Sequence, residues 1–355
     1  MGAITMTDIF DLGPDEKTQH DDPSTRPRKK KRLSRPVKTL IIVASILVGL
    51  LVIVGVVAGV YAMNLARTFD DRTTTLPQAF PEESTRPTVS ATGAMNILLM
   101  GSDSRGDETN LDDASSTDQR TDTMMLMHID ADRKNVYVMS IMRDLWVPIP
   151  GNGDAKINAA FAYGGSPLTV QTIEQLTGAR IDHVAIIDFE GFAGMTEAIG
   201  GVDVVSDKAF TARGTQIQVG TNHLEGEDAL NFVRERYSFT DGDYTRVENQ
   251  QRFLQAVADK LISRDTLTNP TAITNFVGSV SDYLTVDDTL DAGAIASLGV
   301  SLRDVKNENI HFFTIPTSGT GTIGGQSVVL QAEGKMPGLR DALANDTLGA
   351  YLPTL

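Results

Sequence analysis

Residues Leu40–Met63 read LIIVASILVGLLVIVGVVAGVYAM, a run of 24 residues without one charge. As a helix it is roughly 36 Å long, against a hydrocarbon core of about 30 Å. Buried core helices are rarely apolar on every face over such a length. A cleaved signal peptide would carry a shorter apolar stretch nearer residue 1, with a small-residue cleavage site after it. Residues 39–63 are therefore expected to span a membrane once. Eight basic residues lie between Arg26 and Lys38, directly before the run, whereas the flank after it is mixed, with Arg67 and Arg72 against Asp70 and Asp71. The positive-inside rule puts the N-terminus in the cytoplasm of a bacterial cell and everything after the span outside the membrane. The same PRKKKR block would read elsewhere as a nuclear localisation or nucleic-acid patch, but its place against a spanning helix argues otherwise.

Residues 1–38 carry nine bases and six acids and few apolar groups, and are expected to be a disordered tail. Of the chain's 31 basic and 46 acidic residues, 22 and 40 then remain outside, a net of −18. Such a domain is not expected to bind nucleic acid, which needs clustered positive charge. The absence of cysteine excludes disulfides, a thiolate nucleophile and zinc–thiolate sites.

Residues 64–94, rich in Thr, Pro, Ser and acids, read as an extended stalk. From 95 onward the pattern changes. NILLMG (96–101), TMMLMHI (123–129), VYVMSIM (136–142), HVAIIDF (183–189) and NIHFFTI (309–315) are short, almost unbroken apolar runs, as expected of strands buried on both faces. Helical patterns alternate with them at 156–163, 167–176, 190–199, 226–236, 245–262, 270–282, 290–302 and 336–344, with a further strand at 327–331. The expected fold is α/β, a three-layer α/β/α sandwich with a central mixed sheet over 95–355.

Several chemistries find no support. The five histidines lack metal-ligand spacing, and no G-x-S-x-G, S-x-x-K or Walker A pattern occurs. GTGTIG (319–324) matches G-x-G-x-x-G but lies between two strands rather than opening a helix, so it is expected to be a hairpin loop. What remains is a set of charges at element ends. Asp103 and Arg105 follow the first strand, Arg120 and Asp122 enter the second, and Arg143 and Asp144 leave the third. Lys156 and Asn158 open a helix, Arg234 and Arg236 close one, and Asp243 and Arg246 open the next, with Gln250 one turn on. Each alone reads as a solvated surface charge. Converging, the arginines would suit a pyrophosphate, since guanidinium forks pair bidentately with phosphate oxygens. Carboxylates among them would suit Mg²⁺ or a proton-accepting role. Arg234 and Arg236 would point about 200° apart on a regular helix, so both can face one pocket only if the helix ends between them. The methionines of the strands (Met100, Met124, Met125, Met127, Met139, Met142) would serve equally as core filling or as the lining of a lipid channel.

The segments NILLMGSDSR, RTDTMMLMHID, MSIMRD, AKINAAFAYGG, IDHVAIIDFEGF, GGVDV, HLEGEDALNFVRER and DYTRVENQQRFLQA, in this order, resemble the LytR-CpsA-Psr family, with the strongest part over 95–256. The resemblance implies a membrane-anchored phosphotransferase of cell-wall assembly. It would take a glycopolymer on a polyprenyl pyrophosphate carrier and move glycan and proximal phosphate onto peptidoglycan, at the 6-hydroxyl of N-acetylmuramic acid, releasing polyprenyl phosphate. It carries pyrophosphate-binding roles onto Arg143, Arg234, Arg236 and Arg246, with Gln250 beside them, and onto Arg120 and Lys156. Mg²⁺ would lie on Asp103 and Asp122. Asp122, Asp243, Arg143 and Arg246 would be the catalytic group. Two departures stand out: Asn249 occupies a position that is usually basic in the family, and Met142 precedes Arg143 where proline is common. Two other readings use the same residues or the same layout, a lipid pyrophosphatase and a non-catalytic membrane sensor or attenuator of transcription.

Overall fold

The structure, a computed structural model, describes residues 56–102, 121–241, 243–263, 266 and 269–355, with the backbone alone at Asp122, Phe189 and Glu190. The chain divides into two compact units, Met1–Gly59 and Val60–Leu355. The expected tail and most of the expected span, residues 40–55, lie outside the described residues. Among the described residues no helix is long and apolar enough to cross a membrane.

The second unit is built on the five apolar runs, which all become strands of one sheet. These are β2 (Met95–Ser102), β3 (Thr121–Ile129), β4 (Val136–Ile141), β7 (His183–Asp188) and β13 (Ile310–Thr314), joined by β1 (Thr74–Leu76) and β12 (Leu284–Asp287). The seven-stranded order is β1-β12-β7-β2-β3-β4-β13. It is a mixed sheet: β2 runs parallel to β7 and antiparallel to β3, and β4 is antiparallel to β3 and parallel to β13. Successive side chains of a strand point to opposite faces, and both faces are covered. Leu98, Met100, Met124, Leu126 and Met139 pack in one cluster with Val170 and Ile173 of α2 (Ala159–Thr177) and with Leu339 and Leu343 of the terminal helix Met336–Ala344. Ile97, Met125, Val136 and Val138 pack in another, with Leu254, Leu298 and Leu302. The continuous apolar reading of the strands follows from this double burial.

Helix α2 takes in both of the helical patterns expected at 156–163 and 167–176. Its backbone leaves helical geometry at Gly164 and at Gly165, where φ is +60°, so it is two helices meeting at a kink. Next come α3 (Phe189–Ala198), α4 (Gly226–Arg234) and α5 (Asp243–Ile262), which with Val202, Val204 and Leu224 bury a third apolar cluster around Phe232 and Phe253.

Two expectations change. Residues 64–94 do not form an extended stalk. Residues 60–72 are helical, β1 adds an edge strand parallel to β12, and Leu76 and Ala79 are buried in the core. Arg86 then forms a buried ion pair with Glu174 of α2 at 2.8 Å. Low apolar content hid this segment because it is held by edge hydrogen bonds, ion pairs from Arg72, Glu83 and Arg86 and a few single buried side chains rather than by an apolar stripe. GTGTIG likewise is no loop. It lies mostly within β14 (Thr317–Ile323), which pairs with β15 (Gln326–Gln331), and the turn falls one step later, at Gly324 and Gly325, both at positive φ. Two adjacent residues at positive φ suit a tight hairpin turn.

Candidate active site

The face of the sheet formed by β7, β2 and β3 carries two rows of side chains in register. Leu99 lies opposite Met125 and Ala185, and Gly101 opposite Thr123 and Ile187. These six residues floor a cavity of about 310 Å³. Gly101 and Ala185 are small, which leaves room between the sheet and the helices above it. The far wall is apolar: Phe192 of α3, Val233 of α4, Phe253 and Leu254 of α5, and Leu284. Met100 and Met125 reach the lining but are also buried in the two core clusters, Met124, Met139 and Met142 are core residues, and Met127 packs against the second cluster. Core filling thus accounts for all six.

Five arginines line the same cavity: Arg143, Arg213, Arg234, Arg236 and Arg246. Each is delivered by an element that ends or begins there. Strand β4 gives way at Met142 to a turn, and Arg143 follows. Helix α4 stops at Arg234, and Glu235 is already extended, at φ −69° and ψ 128°. The helix therefore ends between Arg234 and Arg236, and both reach one pocket, as the geometry required. Helix α5 starts at Asp243, and its positions 246, 250, 253 and 254 form one face over the cavity. Arg236 is steadied by Tyr237, whose hydroxyl accepts a hydrogen bond from Nη2 at 2.8 Å and whose ring lies 4.8 Å from the guanidinium carbon. Gln250 donates through Nε2 to Thr123 Oγ1 at 3.1 Å and to the Val233 carbonyl at 3.2 Å, tying α5 to β3 and α4.

Asp243 is buried and paired with Arg246 through Nη2. Burial raises its pKa above the ordinary carboxylate value. Arg246, Arg143 and Arg236 act the other way, and Asp144 adds to the rise. Beyond the Arg246 guanidinium against Oδ1, neither oxygen has a hydrogen-bond partner among the described residues. Asp243 does not itself line the cavity but pairs with an arginine that does.

Lys156 stands differently. It ends β6 (Gly153–Lys156) and pairs with Asp144 at 3.0 Å, while Asp144 lies 3.9 Å from Arg143 Nε. It does not line the cavity but holds the carboxylate beside Arg143. Asp103 and Arg120 lie outside the described residues. Asp122 is placed by its backbone: β3 pairs Thr123 with Gly101 but Thr121 with Ser102, so Asp122 is the extra residue of a β-bulge at the cavity floor. Bulges of this kind re-aim side chains beside active sites. Of the two carboxylates expected to hold Mg²⁺, Asp122 is thus placed, by its backbone, beside the cavity floor.

One residue of the site, Arg213, and one next to its floor, Asp188, escaped the sequence analysis. Arg213 sits with Gly214 in the turn between β9 (Phe210–Ala212) and β10 (Thr215–Ile217), at φ +48°. A charge beside glycine in a turn reads as surface, and only the tertiary fold returns this hairpin to the cavity. Asp188 closes β7 opposite Ser102, and its Oδ1 accepts from Gly191 N at 2.6 Å, capping α3. Asp188 is the one charge in the apolar run HVAIIDF, which was the available signal. At the departing position, Asn249 is buried rather than directed into the cavity lining.

Relatives of known identity share this architecture. The chain is 29% identical over 280 residues to the cell wall biosynthesis protein LcpA of Corynebacterium glutamicum, a match covering 67% of this chain and 53% of LcpA, so it spans about half the length of that relative. It is 31% identical over 252 residues to TagU of Bacillus mycoides, named a polyisoprenyl-teichoic acid–peptidoglycan teichoic acid transferase, covering 69% of this chain and 79% of TagU. The crystal structure of B. subtilis TagV superposes with a TM-score of 0.61 at 24% identity, over 72% of this chain and 98% of that one, which establishes the fold. Because the profile of the LytR_cpsA_psr family matches residues 60–344, a stretch that takes in the whole sheet and every residue lining the cavity, the chain belongs to the LytR-CpsA-Psr family.

Proposed function

We propose that the protein is a membrane-anchored phosphotransferase that moves a glycopolymer with its proximal phosphate from a polyprenyl pyrophosphate carrier onto peptidoglycan, at the 6-hydroxyl of N-acetylmuramic acid. The observation that carries this reading is one cavity lined both by five arginines and by aliphatic and aromatic side chains. A diphosphate joined to an isoprenoid has the same two halves. In a chain with net charge −15, five cationic groups around one void are a local reversal of sign. It would neutralise a diphosphate that the rest of the domain repels.

In the proposed reaction the muramic acid hydroxyl oxygen attacks the phosphorus on the glycan side. A new P–O bond forms to that oxygen, and the bridging P–O bond of the pyrophosphate breaks. Polyprenyl phosphate leaves with the bonding electron pair. The hydroxyl proton passes to Asp243, whose raised pKa makes it a better base than an exposed aspartate at neutral pH. Arg143 and Arg246 hold the oxygens on which charge grows, where fixed donors stabilise a transition state at little reorganisation cost. Gln250 and the Asp144–Lys156 pair keep α5 and Arg143 in place. Mg²⁺ held by Asp103 and Asp122 would supply charge neutralisation on the diphosphate. The apolar wall takes the first isoprene units and excludes water from the phosphorus. The TagU name supports the reaction class and LcpA the cell-wall setting. The uncharged run at Leu40–Met63 supports a single membrane anchor, N-terminus inside.

The test is transfer by the purified full chain in detergent, with radiolabelled lipid-pyrophosphate disaccharide, Mg²⁺ and peptidoglycan fragments, beside Arg143→Ala and Arg246→Ala. Label on the glycan strands with the unaltered protein, and a loss in each variant of roughly 10- to 150-fold from charge-assisted bonds of about 1.5–3 kcal/mol, is the expected result. Label released only as soluble sugar phosphate would make the protein a pyrophosphatase. Binding without turnover would make it a sensor.

A further inference from the structure

A second polar cluster lies at the other end of β3. His128 and Thr123 are five residues apart on that strand, so the cluster is roughly 17 Å from the cavity floor. His128 is 1% exposed. Its Nε2 faces Asp346 Oδ1 at 3.0 Å and Asp130 Oδ1 at 3.8 Å. The three atoms lie within 4.8 Å of one another.

Hydrogen placement at this cluster is decided by Asn96. The Arg180 carbonyl can only accept, and it lies 2.8 Å from Asn96 Nδ2, so the amide oxygen is the atom turned toward His128 Nδ1, also at 2.8 Å. An amide oxygen cannot donate, so Nδ1 must carry the ring proton. In a neutral ring Nε2 is then a bare lone pair, aimed at carboxylate oxygens. The other oxygens are engaged outside the cluster. Asp346 Oδ2 accepts from Ala131 N at 3.0 Å, and Asp130 Oδ2 from Asn135 Nδ2 at 2.9 Å, while Asp130 Oδ1 is buried without a donor. Three lone-pair atoms therefore converge on one point, and each ligand is oriented by an outer partner. Such outer partners are characteristic of metal ligands.

We propose that His128, Asp130 and Asp346 bind one divalent transition-metal ion, with Zn²⁺ the best match, separate from the arginine-lined cavity. Tetrahedral zinc with bonds of about 2.0–2.2 Å needs ligand atoms about 3.4 Å apart, between the two separations seen. An imidazole with two carboxylates suits Zn²⁺ better than Mg²⁺ or Ca²⁺, which take oxygen. A water would fill the fourth position. The ion would join the loop after the helix Met336–Ala344, where Asp346 is held at φ +57°, to the end of β3 and the turn leading into β4. It is a structural clasp between the C-terminal segment and the centre of the sheet.

The test uses the full chain in detergent, stripped with chelator and returned to millimolar Mg²⁺, then titrated with ZnCl₂. Expected are one zinc per chain retained after desalting, a thermal midpoint raised by several degrees, and an X-ray absorption first shell containing one imidazole. Asp346→Asn, which keeps the size and tolerates positive φ, and Asp130→Asn should each bind zinc at least tenfold more weakly. Loss of binding in either folded variant supports the site. Zinc retained equally in both, no zinc retained by the unaltered protein, or a shell without imidazole would overturn it.

Discussion

Asp243 sits where its charge is useful and costly at once. Because folding raises its pKa, chiefly by burial, the group contributes stability below the ordinary carboxylate pKa of about 3.9, and that contribution is lost as pH rises through the folded value. At neutral pH the ionised carboxylate is therefore a net burden on the fold. Asp243→Asn is expected to melt higher than the unaltered protein at pH 7.5, with the difference shrinking below pH 4, while transfer falls by roughly 10²- to 10⁴-fold, the range for a lost general base. Melting curves and rates on one preparation would check both. Equal melting points at all pH values would mean that Arg246 fully offsets the burial. The acid limb of the transfer rate should likewise lie above the midpoint of an exposed aspartate. Arg213 offers a contrast, since its role depends on position rather than pKa. Arg213→Ala should weaken binding of the lipid pyrophosphate by about tenfold or more, as a charge-assisted contact of about 1.5–3 kcal/mol requires, and leave the melting point near that of the parent. Fluorescence binding of a short-chain prenyl pyrophosphate would read it.

At the scale of elements, what was legible depended on how each segment earns its place. Strands β2, β3, β4, β7 and β13 declared themselves because both their faces are buried, and α5 because Val247, Leu254, Val257 and Leu261 make an apolar stripe at three- and four-residue intervals. The convergence of Arg143, Arg234, Arg236 and Arg246 was legible too, since each stands at an element end and the helix break between 234 and 236 was the one condition to meet. The hairpin carrying Arg213 was not, because β9 and β10 are three residues each and half-exposed. Nor was the segment 64–94, whose anchor is a charge pair that no periodicity announces. Arg86 donates to Glu174 through Nε and Nη2 and also to the Ile181 carbonyl, while Glu174 Oε1 accepts from Ile181 N. The two side chains are 6% and 1% exposed. Removing one partner leaves an uncompensated buried charge, so Arg86→Ala is expected to lower stability by about 3–5 kcal/mol. Denaturant unfolding would measure it. A loss below about 1 kcal/mol would mean that this segment only rests on the domain, as a stalk would.

Across the whole molecule, the proposed chemistry demands that the domain holding the cavity meet a lipid's headgroup, and the uncharged run at 40–63 is the part of the chain suited to arrange the meeting. Its contribution would be one of concentration, not of contact. The family match begins at residue 60, and every residue that lines the cavity falls after it. A protein lacking residues 1–59 should therefore transfer glycan from a donor in detergent micelles at the rate of the full chain. With the donor in liposomes the encounter becomes bimolecular. At nanomolar protein the rate should then fall by roughly 10²-fold or more, the scale that tethering confers without any new contact. Raising the concentration of the shortened protein should restore the rate in proportion, because only encounter has been lost. An equal loss in micelles and liposomes would mean instead that residues before 60 support the fold or the cavity. A rate unchanged in both would mean that the domain's own surface finds the membrane, and that the run at 40–63 serves a purpose other than delivery.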